Sequence, residues 1–217
     1  MIIASLYHCP FDGGQLAHDM SASIITKKKT YAYEEEKLTS TKNESTVKFP
    51  ERSLVAGCKE LNIQLSDVTD WVFPTPNRKI SIIEFKLFFC DLLKARKYKS
   101  NNDFRLWIKK SVHYVPHHIS HASLAFFTSE FKNSAFLTKD GGGDLGDTRG
   151  FVFGEFNKNK IVIKRQNHDF RNLSLFHDYL TDSLGFSYFS NGKTSGLASY
   201  GRVIPELKIK FNNFLKV

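Results

Sequence analysis

No apolar run in this 217-residue sequence approaches the roughly 20 residues needed to cross a bilayer, which argues against a helical membrane protein. The opening MIIASLYHCPFDGG has no cationic stretch ahead of its apolar residues, so it lacks the pattern of a secretory signal. Cysteine is scarce. Cys9, Cys58 and Cys90 are an odd number at spacings that fit no zinc or redox motif, and the expectation is reduced thiols in a cytoplasm. Acidic residues are in deficit, with 22 Asp and Glu against 31 Lys and Arg, a net charge of +9. Between Glu84 and Lys110 eight Lys or Arg face three Asp or Glu, so over half of the excess sits in one segment. There Ile82, Phe85, Phe89, Leu92 and Arg96 recur at helical spacing, the pattern of an amphipathic helix with a solvated basic face. An anionic small substrate or a partner surface accounts for that charge more economically than nucleic acid.

Aromatic residues, by contrast, are abundant. The chain has 20 Phe and is 41% hydrophobic, enough for a packed core, which excludes global disorder. The length allows one large domain or one and a half smaller ones. Read in order, IIASLY is a short buried strand, and MSASII and TYAYEEE form a hairpin across Lys27, Lys28 and Lys29. Phe49-Pro50-Glu51 opens a helix with the apolar stripe Leu54, Val55, Cys58 and Leu61. DWVF is a strand, the helix from Ile82 to Arg96 follows, and VHYV is another strand. SAFLTKD, RGFVFGEF and KIVIKRQ are three strands with a turn at Asn157 to Lys160, and LSLFHDYLTDSLGF is a helix after them. Three antiparallel strands and a helix therefore occur twice, from near Ile2 and from near Ser134. This pattern is expected of two related α/β lobes with a cleft between them.

The chemistry concentrates between Tyr114 and Gly154. Pro116 suits a first helical turn, and His117 and His121 then lie at i and i+4 on one face. SAFLTKD ends at Asp140, followed by Gly141, Gly142 and Gly143. Two imidazoles beside a strand-end carboxylate can serve a divalent cation, and equally each histidine can be an ordinary core or surface residue. The zinc-protease signature is lacking, because His118 stands where H-E-x-x-H has its general-base Glu. GGGDLGD is either a phosphate cradle of bare N–H groups or a plain hairpin turn, and it occurs once, unlike calcium-binding repeats.

Five motifs in order resemble the carbamoyltransferase family of antibiotic, toxin and nodulation-factor biosynthesis, of the tobramycin, novobiocin and NodU types. They are His18-Asp19-Met20-Ser21, then Glu34-Glu35-Glu36-Lys37 with Lys42, then His117-His118-Ile119-Ser120-His121-Ala122, then Leu137 to Asp144, and Gly192 to Gly201. Departures are Lys37 for the family's Arg, Ser40 for a common Arg and Asp144 for Glu. Lysine keeps the charge but not arginine's planar two-pronged contact.

The resemblance implies an α/β, ribonuclease-H-like fold of the actin-like ATPase and sugar-kinase superfamily, similar to the protein that adds threonylcarbamoyl groups to tRNA. Residues 1–133 would be a first lobe ending in the histidine helix, and 134–217 the start of a second, incomplete lobe. In such proteins a YrdC-like domain, expected to be absent here, makes carbamoyl adenylate from ATP and carbamoyl phosphate. The actin-like domain then passes the carbamoyl group to a hydroxyl of a small-molecule acceptor.

Carried over, His117, His121 and Asp140 would be ligands of iron(II), manganese or zinc, the fourth family ligand falling beyond Val217. His18 and Lys42 would be catalytic. Asp19, Glu35, Glu36, Gly141, Gly142, Gly143 and Lys193 would bind substrate or phosphate. The alternatives are a non-catalytic fragment or one subunit of a split enzyme completed by a second chain. Its interface would then use Ile204, Leu207, Ile209, Phe211, Phe214 and Leu215. A sugar-kinase-like ATPase is the remaining alternative.

Overall fold

The computed structural model describes residues 1–7, 20–41, 49–74, 101–140, 150–167, 173–187 and 190–215. In its first strand, β1 (Ile3–Tyr7), Ala4 and Leu6 are buried while Ile3, Ser5 and Tyr7 take the opposite face, as strand alternation requires. β2 (Ser21–Ile25) and β3 (Thr30–Glu34) form the expected hairpin. Its turn is closed by Thr26, whose hydroxyl donates to the Lys29 carbonyl at 2.8 Å and accepts the N–H groups of Lys28 and Lys29 at 3.2 and 2.9 Å. The three lysines are thereby left in solvent.

β2 runs antiparallel to both neighbours, whereas β4 (Asp70–Phe73) and β5 (Val112–Tyr114) run parallel to β1. The resulting five-stranded mixed sheet has the order β3-β2-β1-β4-β5. After the single turn α1 (Glu36–Thr39), α2 (Glu51–Glu60) starts behind Pro50 and lays Leu54 and Gly57 toward the sheet. Trp71, Phe73, Leu6 and Ile24 from the strands pack there with Phe49, Leu54 and Val68. α3 (Asn101–Ser111) adds Trp107 and Ile108 to the same core.

α4 (His117–Phe127) leads from β5 to a second sheet, the antiparallel meander β6 (Asn133–Lys139), β7 (Phe151–Asn157) and β8 (Lys160–Asn167). Ala122 and Phe126 of α4 pack on Phe156 and Phe136, and the Phe126 and Phe156 rings stack with centroids 4.2 Å apart and planes 6° apart. α5 (Leu173–Ser183), α6 (Asn191–Ala198) and α7 (Pro205–Leu215) follow. Among the described residues no helix is long and apolar enough to cross a membrane.

Two elements differ from the sequence reading. Gly192 to Gly196, which two glycines mark as a turn in the sequence, lies in α6, which is held by the Thr181 and Thr194 hydroxyls at 2.8 Å and by Asn191 bonded to Asp178. Residues 101–111, to which the sequence reading assigned no element, form α3. The expected helix from Ile82 to Arg96 lies outside the described residues.

The middle of β7 contains Gly154, beside a bulge at Phe153/Gly154. A Cβ there would lie 2.5 Å from the Val162 carbonyl oxygen and 2.8 Å from the Phe136 ring. Backbone cannot rotate aside as a side chain can. Gly154→Ala is therefore expected to destabilise the protein by about 2–3 kcal/mol, the scale of overpacking, despite alanine's better strand entropy. A shift in urea midpoint with unchanged slope would show it, whereas a neutral result would mean that the meander yields.

Candidate metal centre

Pro116, with φ −57° and ψ 140°, turns the chain from β5 into α4. His117 and His121 then sit one turn apart, their rings edge to face with centroids 4.6 Å apart. Asp140 arrives from the end of β6, where its N–H donates to the Gly150 carbonyl at 3.1 Å and ties the strand end to the β7 side. His117 Nε2 lies 2.9 Å and His121 Nε2 3.3 Å from Asp140 Oδ2, and the two nitrogens lie 3.1 Å from each other.

Those three edges allow a test of fit. With metal–nitrogen bonds near 2.0–2.1 Å, two ligands stand about 2.9 Å apart at a right angle and about 3.4 Å apart at the tetrahedral angle. The observed 2.9, 3.1 and 3.3 Å fall within that range. Two imidazoles and one carboxylate suit iron(II), manganese or zinc and leave coordination positions free. Among the described residues this is the group of three or more His, Cys, Asp or Glu able to hold a metal ion. A second His–Asp pair, His113 Nε2 to Asp70 Oδ1 at 3.0 Å, has no third ligand of this kind among them. Hydrogen bonds from Thr69 and then His113 hold the Asp70 carboxyl below its usual range.

What positions the cluster is a residue pair that the sequence reading passed over. His118 is 1% exposed, and its Nδ1 lies 2.9 Å from Thr138 Oγ1 on β6. That hydroxyl donates to the Val152 carbonyl at 3.3 Å, so it accepts from His118. α4 is thus pinned to β6 by a buried polar link as well as by Ala122 and Phe126. Consequently His117 and His121 are set against the strand end that carries Asp140. The only available sequence signal was the apolar neighbourhood of His118 and the Thr two residues before Asp140.

Glu35 has a structural role. It is 1% exposed, and its two oxygens accept the backbone N–H groups of Arg52 and Ser53 at 3.1 and 2.8 Å, at the first turn of α2. The sequence suggests a substrate contact for Glu35; in the structure its oxygens accept from a helix N-terminus, where negative charge is favoured. Glu36 lies in α1 and pairs with Lys37 Nζ at 2.7 Å, a contact that raises the lysine's pKa. Lys193 stands on α6 with its Nζ 6.0 Å from the Phe186 ring centroid, away from the residues that border the metal cluster. His18, Asp19, Lys42, Gly141, Gly142 and Gly143 lie outside the described residues.

Fold and site together define a mixed α/β protein that presents two imidazoles and a carboxylate from a helix and a strand end. Within that class, the chain belongs to the carbamoyltransferase N-terminus family, which matches it over residues 82–216. An uncharacterized protein of Methanocaldococcus jannaschii, MJ1051, is 29% identical over 212 residues, covering 92% of this chain and 37% of its own. Nodulation protein NolNO of Sinorhizobium fredii is 28% identical over 204 residues, covering 87% of this chain and 28% of its own. The chain thus spans about a third of the length of these curated relatives. Solved structures of YeaZ from Pseudomonas aeruginosa, and of an uncharacterized protein with similarity to peptidase YEAZ from the same organism, each give a TM-score of 0.40 at 8% identity. They cover 76% of this chain and 66% and 64% of theirs.

Proposed function

We propose that this chain is the metal-holding N-terminal portion of an O-carbamoyltransferase. The reaction moves a carbamoyl group from carbamoyl adenylate, made from carbamoyl phosphate and ATP, to a hydroxyl of a small molecule in secondary-metabolite or glycan biosynthesis. The observation that carries this reading is the convergence of His117, His121 and Asp140 within 4.8 Å in a chain of the carbamoyltransferase family. The mixed sheet and the following meander support an actin-like architecture, with the two sheets belonging to two lobes.

A divalent ion bound there would supply Lewis acidity toward the carbamoyl carbonyl or the adenylate phosphate. The protein's contribution is orientation. His117 and His121 turn Nε2 inward, and ligation requires both to be neutral with the proton on Nδ1. Asp140 balances charge, and the His118–Thr138 link keeps helix and strand in register. In this reading Gly141, Gly142 and Gly143 give backbone N–H groups to phosphate, His18 and Lys42 polarise the carbamoyl group or position the attacking hydroxyl, and Asp19, Glu36 and Lys193 contact substrate. Cys58 fits a reducing cytoplasm as an inert thiol, since burial pushes its pKa up and Asp67 adds to the shift.

A second chain completing the enzyme is the other reading, favoured by exposed apolar side chains such as Leu124, Leu137 and Tyr200. The test is a carbamoylation assay with iron(II), ATP and carbamoyl phosphate on this chain alone and mixed with the part of NolNO that it does not match. Negligible activity alone and turnover on mixing is the expected outcome. Turnover by this chain alone would remove the need for a partner, and inactivity of every metal-loaded mixture would count against the transferase reading.

A further inference from the structure

We propose that a pocket at the far end of α4 from its first histidine binds a small aromatic acid in its anionic form. The site is independent of the carbamoyl-transfer reading. His117 and Phe127 are the two ends of α4, about 15 Å apart at 1.5 Å per residue. The pocket, of about 380 Å³, opens where the end of α4 meets the start of β6 and the turn between β7 and β8. That volume suits one or two rings, since ligand cavities span roughly 300–1,000 Å³. Its aromatic side is fixed by contacts within the fold. Phe126, stacked flat on Phe156, is the buried floor, and Phe127 stands edge-on to both rings with centroid distances of 5.1 and 5.8 Å. Ser129 shapes the loop beyond, its hydroxyl donating to the Phe126 carbonyl at 2.7 Å and accepting the Phe131 N–H at 3.2 Å. The basic side is fixed as well. Lys158 takes φ 51° in the β7–β8 turn, and its N–H is shared between the Lys132 carbonyl at 3.0 Å and Asn133 Oδ1 at 3.3 Å. Two lysines distant in sequence therefore border one hollow, with Asn159 beside them.

Both kinds of wall await a partner. Phe127 and Phe131 are 59% and 70% exposed, so much of their ring surface stands in water. No ion pair or hydrogen bond to another described residue engages the ammonium of Lys132 or Lys158, and Glu155 on β7 is held by Lys164 at 3.1 Å. The described lining carries two cations and no carboxylate, and Glu130 in the adjoining loop offsets one of them at most. Phenyl faces and edges favour a further ring, and unpaired ammonium groups favour an acid group on that ring. A cationic ligand would be repelled, and an aliphatic acid would leave the rings bare.

Saturation-transfer NMR titrations on the intact chain test this with 2-naphthoate, its neutral amide, the cationic 2-naphthylmethylamine, and heptanoate as an acid without a ring. 2-Naphthoate is expected to bind about tenfold or more tightly than each of the others. Lys132→Gln combined with Lys158→Asn removes both charges, asparagine tolerating the positive φ, and is expected to weaken naphthoate about tenfold. Phe131→Ala is independently expected to weaken it about threefold or more. All three side chains are exposed, far-UV circular dichroism checks that each variant has folded, and either variant carries the comparison if the other fails. Tyr200→Ala, which removes an exposed ring outside the pocket, is expected to leave binding unchanged. Equal binding of the amide, the amine or heptanoate would overturn the proposal. So would naphthoate binding that is untouched by both pocket variants, lost equally in Tyr200→Ala, or not observed. Binding that disappears when divalent metal is chelated would place the acid at the metal centre and overturn it as well.

Discussion

Replacing His117 and His121 together by alanine is expected to reduce bound divalent metal from near one equivalent to background. The three donor atoms come from two elements, so removing both imidazoles leaves only Asp140, a partly exposed carboxylate that binds ions no better than other surface acids. The fold is expected to survive the change. His118, Ala122 and Phe126 still hold α4 to the second sheet, and alanine is a better helix former than histidine by about half a kcal/mol at each position. The second signature is therefore thermodynamic. Metal at a hundredfold excess over its Kd stabilises the native chain by about 2.7 kcal/mol, and that increment should vanish in the double variant while metal-free stability stays level or rises. Elemental analysis and thermal melts with and without iron(II) measure both. Metal retained by the variant would place the site elsewhere, and metal absent from the native chain would show that three ligands are too few.

Glu35→Ala is expected to cost about 2–4 kcal/mol of stability, the largest effect of a single substitution outside the aromatic core. A buried carboxylate that accepts two backbone N–H groups makes charge-assisted hydrogen bonds, each worth about 1.5–3 kcal/mol, and truncation strands both donors at the start of α2. Glu35→Gln keeps one carbonyl acceptor and should fall between. The effect is read in denaturant unfolding, and metal content should be unchanged once the variants are folded. Near-neutral stability of Glu35→Ala, together with a loss of substrate binding, would return this residue to the role that the sequence reading gave it.

His117, His121 and Glu35 show what local pattern reveals and what it hides. The i, i+4 spacing of the histidines, the proline before them and the strand ending at Asp140 are short-range features, and each was legible. The alternation of β1 and β2 and the turn at Asn157 to Lys160 were legible for the same reason. The bonds that Glu35 makes were not legible, because its partners lie 17 and 18 positions away and depend on where α2 begins relative to β3. The His118–Thr138 link requires the register of a helix on a sheet, which no spacing encodes. α6 was missed because two glycines within six residues lower its propensity, and it is secured by the Thr181–Thr194 contact with a neighbouring helix. α3 has no counterpart in the sequence reading, although its Trp107 and Ile108 reach the core.

β8 borders the meander on one side, and among the described residues it pairs only with β7. Its Ile161, Val162 and Ile163 are all at least 36% exposed, a three-residue β-branched run of the kind that recruits further strands into aggregates. Lys160, Lys164 and Arg165 bracket that run. Two molecules approaching edge to edge would bring these cations together, and the repulsion acts as a gatekeeper against fibre-like stacking. Because salt screens such repulsion, the colloidal stability of this protein is tied to ionic strength: dilute buffers protect the edge, and concentrated salt exposes it to self-association.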